Sequence, residues 1–332
     1  METAQSFIHT IFSGQPFDFE EVALRLFAFQ YEHNEIYRKY VQAIGVQPEN
    51  VKNVNNIPFL PIRFFKTHDV TCGHFESQVV FESSGTTETI NSRHLIKDTS
   101  IYETSFLQGF QRFFGNPEDW CIIGLLPSYL ERNNSSLVYM VNRLIADSSH
   151  AQSGFYLHDF KALSHALQTL ESQGQKTLLI GVTFALLDFA AMFPQPLQHT
   201  LIMETGGMKG RRKEMVREEV QDILKKAFQV NKIASEYGMT ELLSQAYAYV
   251  DGLFQTPPWM RVLLRDEDDP LTLKIPGMQT TRGVINIVDL ANIYSCAFIA
   301  TDDLGAIYPD GRFTITGRRD YSDLRGCSLL AL

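Results

Sequence analysis

Between residues 78 and 237, short apolar runs alternate with longer stretches of helical pattern, and few architectures accept that alternation. Gln78-Val79-Val80-Phe81 reads as a strand. A helix follows from Asp98, a residue suited to an N-cap, to about Phe114. Residues 121–126 form the next strand, which Pro127 ends, and residues 176–182 another, leading into an apolar helix over 184–192. Residues 200–203 extend again. An amphipathic helix then runs from about Arg212 to Phe228 on a stripe of Val216, Val220, Ile223, Leu224 and Ala227. Strands that are apolar throughout and joined by helices predict a largely parallel sheet covered on both faces.

The flanks differ. Phe19, Val22, Ala23, Leu26 and Phe27 recur at helical spacing, and Ile36, Tyr37, Tyr40 and Val41 continue the pattern, so residues 1–75 read as a helical cap. Beyond Pro257-Pro258, short strands follow one another with few helical patterns between, which predicts a small barrel or a second sheet. The charged run Arg265-Asp266-Glu267-Asp268-Asp269-Pro270 reads as a solvated loop. A net charge of -9 argues against a general nucleic-acid binder. Four cysteines make no disulfide scaffold, the start shows no signal-peptide pattern, and the most apolar stretch is too short and broken to span a membrane. A soluble, cytoplasmic protein is expected.

Four segments carry residue types suited to chemistry. In Ser83-Ser84-Gly85-Thr86-Thr87, hydroxyls and backbone amides at a glycine turn suit phosphate oxygens, although such a turn is often only a turn and here lacks a Walker A ending. Glu204-Thr205-Gly206-Gly207 falls between a strand and a helix, where open α/β sheets bind ligands or simply turn, and Lys209, Arg211, Arg212 and Lys213 follow as a basic cluster. Ser235-Glu236-Tyr237-Gly238-Met239-Thr240-Glu241 follows a strand and is expected to open a helix. Its Thr240 offers a hydroxyl to a phosphate, and its Glu241 a hard oxygen to Mg²⁺. Thr301-Asp302-Asp303 and Gly317-Arg318-Arg319-Asp320 add a carboxylate suited to a ribose diol and a guanidinium suited to a phosphate.

In this order and spacing, the segments resemble the adenylate-forming superfamily of acyl-CoA synthetases, luciferases and nonribosomal-peptide adenylation domains, over roughly residues 79–320. Pro257-Pro258-Trp259-Met260-Arg261 and Arg325-Gly326-Cys327-Ser328-Leu329 narrow the resemblance to the acyl-protein synthetases of bacterial fatty-acid reductase systems of the bioluminescence type. It implies an α/β large-domain fold with mostly parallel covered sheets and a β-rich subdomain, lacking the usual full C-terminal domain. It implies ATP and Mg²⁺ as cofactors, a fatty or other apolar carboxylic acid as substrate, an acyl reductase as partner, and no membrane span. Carried over residue by residue, Ser83, Ser84, Gly85, Thr86 and Thr87 would embrace the ATP phosphates, and Gly206 and Gly207 would line the adenine and acyl cleft. Tyr237 and Gly238 would lie at the adenine, Thr240 at the α-phosphate and Glu241 on Mg²⁺. Asp303 would take the ribose hydroxyls and Arg318 the ribose or phosphate side. Asp320 would mark the hinge, and Cys327 would accept the acyl group. The division implied is 1–75 cap, 76–255 nucleotide- and acyl-binding core, 256–320 β-rich part and 321–332 tail.

The sequence departs from the superfamily pattern at several points. Thr87-Glu88 stands where many relatives have Gly, the usual downstream Lys is missing with Arg93 as a weak substitute, and Asp302 replaces the Gly of Thr-Gly-Asp. The lysine that usually assists adenylation from the C-terminal domain has no counterpart. Two other readings stay open: an acyl-CoA or aryl-CoA ligase of the phenylacetate-CoA ligase kind, and a noncatalytic nucleotide-binding subunit of a reductase complex. A hydrolase is disfavoured, because Ser128 and Ser244 lack a Gly-x-Ser-x-Gly elbow and His94, His150 and His158 have no visible serine partner. Phe184 and Phe189 could line an acyl tunnel but suit plain core better.

Overall fold

A computed structural model of the chain describes residues 2–83, 90–126, 134–206, 215–275 and 277–319. Its parallel strands are β4 (Cys121–Leu125), β5 (Gly154–Phe155), β6 (Thr177–Val182), β7 (Thr200–Thr205) and β8 (Ala234–Tyr237), in the order β8-β7-β6-β4-β5; earlier in the chain lie β1 (Leu60–Pro61), β2 (Val79–Glu82) and β3 (Arg93–Ile96). The parallel strands are apolar throughout because successive residues feed two cores. Ile122, Leu178, Ile180 and Met203 pack toward Tyr102, Phe106 and Val141, whereas Ile123, Leu179 and Ile202 pack toward Leu186, Phe189, Leu224 and Phe228. Asp98 caps the helix Thr99–Phe114 by accepting from the Ser100 amide, as its sequence position predicts.

The β-rich segment is neither a barrel nor a separate sheet. Antiparallel pairing carries the same sheet onward from β8 through β9 (Ala246–Ala248), β10 (Phe254–Gln255), β15 (Phe313–Arg318), β14 (Phe298–Ile307), β13 (Thr281–Asp289), β11 (Met260–Arg265) and β12 (Leu273–Lys274). Strand β1 pairs in parallel with β14, which ties the N-terminal segment to the sheet. That segment carries the helices Phe19–His33 and Glu35–Ala43. Their Phe27 and Tyr37 rings meet Phe298 at 6.3 and 6.0 Å.

Three local expectations are corrected. The amphipathic helix is Arg217–Phe228; its buried stripe is Val220, Leu224 and Phe228, while Val216 at the cap and Ile223 face solvent. No helix follows Tyr237: residues 238–245 form turns, and Asp289 takes the Leu243 amide, which a helix would have committed to its own backbone, together with the Ser244 hydroxyl. Arg265 is no loop residue. It is 4% exposed at the end of β11 and donates to the carbonyls of Ile285 and Thr301 and to Asn286 Oδ1. Pattern reading assigns a charge to solvent, but three backbone and amide oxygens solvate this one inside.

Candidate active site

The site is assembled where the parallel half of the sheet meets the antiparallel half. Strand β8 delivers Glu236 and Tyr237 to its C-terminal end, and the following turn presents Thr240 and Glu241. The β2–β3 hairpin closes over this turn. Its mouth is fixed by the Ser92 amide donating to Ser83 Oγ at 2.9 Å and the Ser83 amide donating to the Ser92 carbonyl at 3.1 Å. From β3, buried His94 donates its Nδ1–H to the Thr240 carbonyl at 2.8 Å. Burial lowers the His94 imidazole to about 4, so the ring is neutral and that nitrogen is a single-proton donor.

Glu241 is 5% exposed, and burial raises its carboxyl above the usual range. The Ser92 hydroxyl pulls it back down, as do the fields of Arg318 and Lys66. The hairpin, the Thr240–Glu241 turn and two cations from distant segments therefore act on one carboxylate.

Beside it, β14 and β15 pair Asp303 directly with Arg318. Gly305 makes this register possible, since a Cβ there would stand 2.4 Å from the Thr314 carbonyl oxygen. Tyr237 Oη donates to Asp303 Oδ2 at 2.8 Å, and Arg318 Nε lies 3.6 Å from Asp303 Oδ1. Burial raises the Asp303 carboxyl, while Tyr237 and Arg318 lower it. Arg63 Nε approaches the neighbouring Asp302 at 3.6 Å.

On the cleft side of β7, Thr183 Oγ1 lies 2.7 Å from both Glu204 Oε1 and the Gly206 carbonyl. Thr205 donates to Glu236 Oε2 at 2.5 Å, and a Cβ on Gly238 would stand 2.4 Å from Glu236 Oε1. A larger residue there would displace the carboxyl from its present position. Burial pushes Glu236 up to about 7 against the Thr205 hydrogen bond. A raised acid holds its proton when folded in a range where the unfolded chain has lost it. Its stabilising share is complete below about 4.5 and is lost as the pH rises through about 7. A Glu236→Gln chain should therefore gain stability over wild type as the pH rises from 5 to 8, by up to about 3 kcal/mol. Parallel pH–melting curves for the two chains would show instead that this carboxyl ionises without cost.

A family model of the acyl-protein synthetases, LuxE, matches residues 12–331. The chain belongs to the LuxE acyl-protein synthetase family. Among solved structures it is similar to ATP-bound MatB from Rhodopseudomonas palustris, at 16% identity over 74% of this chain and 49% of that one, with a TM-score of 0.53. It is also similar to a double mutant of o-succinylbenzoate CoA synthetase (MenE) from Bacillus subtilis, at 13% identity over 76% and 50%, with a TM-score of 0.50. At these identities the likeness shows a shared fold alone, and the chain spans about half the length of either structure. A search of curated proteins finds no match.

In this LuxE-family chain, Ser83, Tyr237, Gly238, Thr240, Glu241, Asp303 and Arg318 surround one region, and Gly206 directly follows the adjacent strand β7. Ser84, Gly85, Thr86, Thr87, Gly207, Asp320 and Cys327 lie outside the described residues. Arg93 is half exposed and pairs with Asp69 at 3.3 Å. Phe189 is fully buried between Phe193 and Phe228, which makes it core. Sequence reasoning missed His94, Ser92 and Lys66. A serine and a histidine two residues apart at the entry to a strand, just after the hydroxyl-rich segment, were the available signal for the first two, and Lys66 left none.

Proposed function

We propose that the chain is an ATP-dependent, adenylate-forming ligase that activates a fatty or other apolar carboxylic acid, passes the acyl group to Cys327 and delivers it to an acyl reductase. The observation that carries this reading is the convergence of two separate carboxylate systems, Glu241 under the β2–β3 hairpin and Asp303 between Tyr237 and Arg318. Family membership and a fold shared with an ATP-bound enzyme support it. In this reading a substrate carboxylate oxygen attacks the α-phosphorus of ATP, and the bond to pyrophosphate breaks. The hydroxyls and amides of the Ser83–Thr87 segment and the Thr240 hydroxyl hold phosphate oxygens, and Arg318 and Lys66 offset their charge. Asp303 takes the ribose hydroxyls with an oxygen kept in place by Tyr237, whose ring flanks the base.

Glu241 fits a hard divalent cation. It is a buried carboxylate whose ionised form is only partly compensated by the Ser92 hydroxyl and the fields of Arg318 and Lys66, and Mg²⁺ needs only one or two protein carboxylates beside phosphate oxygens and waters. Glu241 would hold Mg²⁺, which when bound lowers the repulsion among phosphate oxygens. The Cys327 thiolate then attacks the acyl carbonyl, AMP leaves, and a thioester remains. The tail at 321–332 serves the transfer, residues 76–255 the nucleotide and acid, and 1–75 the cap.

The test is ATP–pyrophosphate exchange with Mg²⁺ and a panel of carboxylic acids. Exchange is expected with fatty or other apolar acids, and the profile across chain lengths and acid classes names the substrate. Exchange with phenylacetate alone would move the reading to the aryl acids. Tight ATP binding with no exchange, even beside the reductase, would overturn it.

A further inference from the structure

The loop between β13 and β14, residues 290–297, joins the Glu241 turn to the N-terminal helices through side chains that leave almost no exposed surface. Toward the site, Asn292 Nδ2 donates to the Glu241 carbonyl at 2.7 Å, and Asp289, at the loop's entrance, accepts the Leu243 amide at 2.8 Å. Toward the helices, Gln30 Nε2 donates to the Asn292 carbonyl at 2.7 Å, while Gln30 Oε1 accepts the Ala297 amide at 2.9 Å. Asn34 Nδ2 donates to the Ser295 carbonyl at 3.0 Å, and Ser295 Oγ donates to the Val70 carbonyl at 3.0 Å. Gln30, Asn34, Asp289 and Asn292 are each 0% exposed.

Asn292 is a poor choice for stability alone. Its Oδ1 is buried and has no hydrogen-bond partner among the described residues, and an unpaired buried amide oxygen is costly. What it supplies is a donor aimed at the main chain of the one residue whose carboxylate sits under the hairpin. A buried polar group with one bond made and one forgone is understandable where the bond made fixes a functional atom.

We propose that Gln30 and Asn292 are positioning residues for Glu241, so that the N-terminal helical segment sets the cation-holding geometry of the nucleotide site. Gln30 fixes the loop backbone, Asn292 fixes the Glu241 carbonyl, and the Glu241 carboxylate is thereby held where a phosphate-bound cation meets it. This rests on the reading of Glu241 as the Mg²⁺ ligand, and the test separates the two.

The experiment measures ATP affinity of the full-length chain by calorimetry, with Mg²⁺ and with EDTA, together with the Mg²⁺ dependence of pyrophosphate exchange. Wild type should bind ATP more tightly with Mg²⁺, and Glu241→Gln should remove that gain; if it does not, the metal-ligand reading fails and this inference with it. Given that gain, Asn292→Ala and Gln30→Met should each lose about fivefold or more of the Mg²⁺-linked affinity, the size of one hydrogen bond, while affinity in EDTA stays unchanged. Their half-saturating Mg²⁺ in exchange should rise by a similar factor, with the acid KM unmoved. Tyr37→Phe is the control: it removes the bond from Tyr37 Oη to the Pro58 carbonyl in the same helical segment while leaving every Gln30 and Asn292 hydrogen bond in place, and should leave Mg²⁺ linkage as in wild type. Gln30→Met, which keeps chain length and apolar bulk, answers the question if Asn292→Ala folds poorly. Variants that melt earlier yet keep the full Mg²⁺-linked gain would reduce the network to scaffolding and overturn the proposal.

Discussion

A Cys327→Ser chain is expected to keep acid-dependent ATP–pyrophosphate exchange while losing its acyl-protein thioester. In the proposed reaction the two half-reactions use different groups: adenylation would draw on the phosphate, ribose and cation contacts assigned to the cleft, none of which involves a thiol. Acyl capture needs a nucleophile that is ionised near neutral pH, and a serine hydroxyl is not. The other three cysteines are poor substitutes. Cys72, Cys121 and Cys296 are all buried, and burial raises each thiol, Cys296 to about 12. Incubation with labelled acid, ATP and Mg²⁺ followed by denaturing electrophoresis should show protein-bound label reduced by at least about a hundredfold, with exchange within about twofold of wild type. Hydroxylamine should release the label from wild type, as it does from thioesters. Undiminished label in the variant would move the acceptor elsewhere, and lost exchange would mean that Cys327 serves the first step.

The separation of those steps bears on what the sequence could reveal. Parallel strands announce themselves because each is apolar on both faces, and β4, β6 and β7 appear almost at their sequence-read bounds. The continuity of the sheet from β8 to β12 does not announce itself, because it depends on pairings such as Phe254 with Phe313 that no local pattern encodes. Motif residues were legible one at a time, and their contacts were not. Asp303 opposite Arg318 follows from a strand register that shifts at Gly305. Polar residues buried in the interior were hardest to see. Gln30, Asn34, Asn292 and Arg265 look like solvent-facing residues in sequence, and each spends its donors on carbonyls of distant segments. The short apolar run after Glu241 looks like a helix start for a related reason. Its backbone is claimed by Asp289, some 45 residues away in sequence.

Glu241→Gln should abolish most of the exchange and at the same time raise the melting temperature. The two effects come from one cause. In the unliganded fold the carboxylate is buried, and its desolvation is only partly offset by the Ser92 hydroxyl, Arg318 and Lys66, so its pKa lies above the ordinary value. A raised acid favours folding below its unfolded-state pKa and loses that share as the pH climbs through the folded-state value. At pH 8 the neutral amide therefore removes a cost that wild type carries, while at pH 4.5 the two chains should melt more nearly together. In the proposed role the balance would reverse with nucleotide, because Glu241 would hold a divalent cation that offsets the same charge. Loss of that ligand should lower kcat/KM for exchange by about a hundredfold to a thousandfold, as removal of a charge-stabilising group at a reacting phosphate does. It should also shrink the extra thermal shift that ATP with Mg²⁺ gives over ATP with EDTA. Exchange within about threefold of wild type would remove Glu241 from the cation site, since a ligand to the reacting complex cannot be neutralised at so small an effect. A variant less stable than wild type at pH 8 would instead mean that the ionised carboxylate is satisfied in the free chain, and that the strain placed there for function is absent.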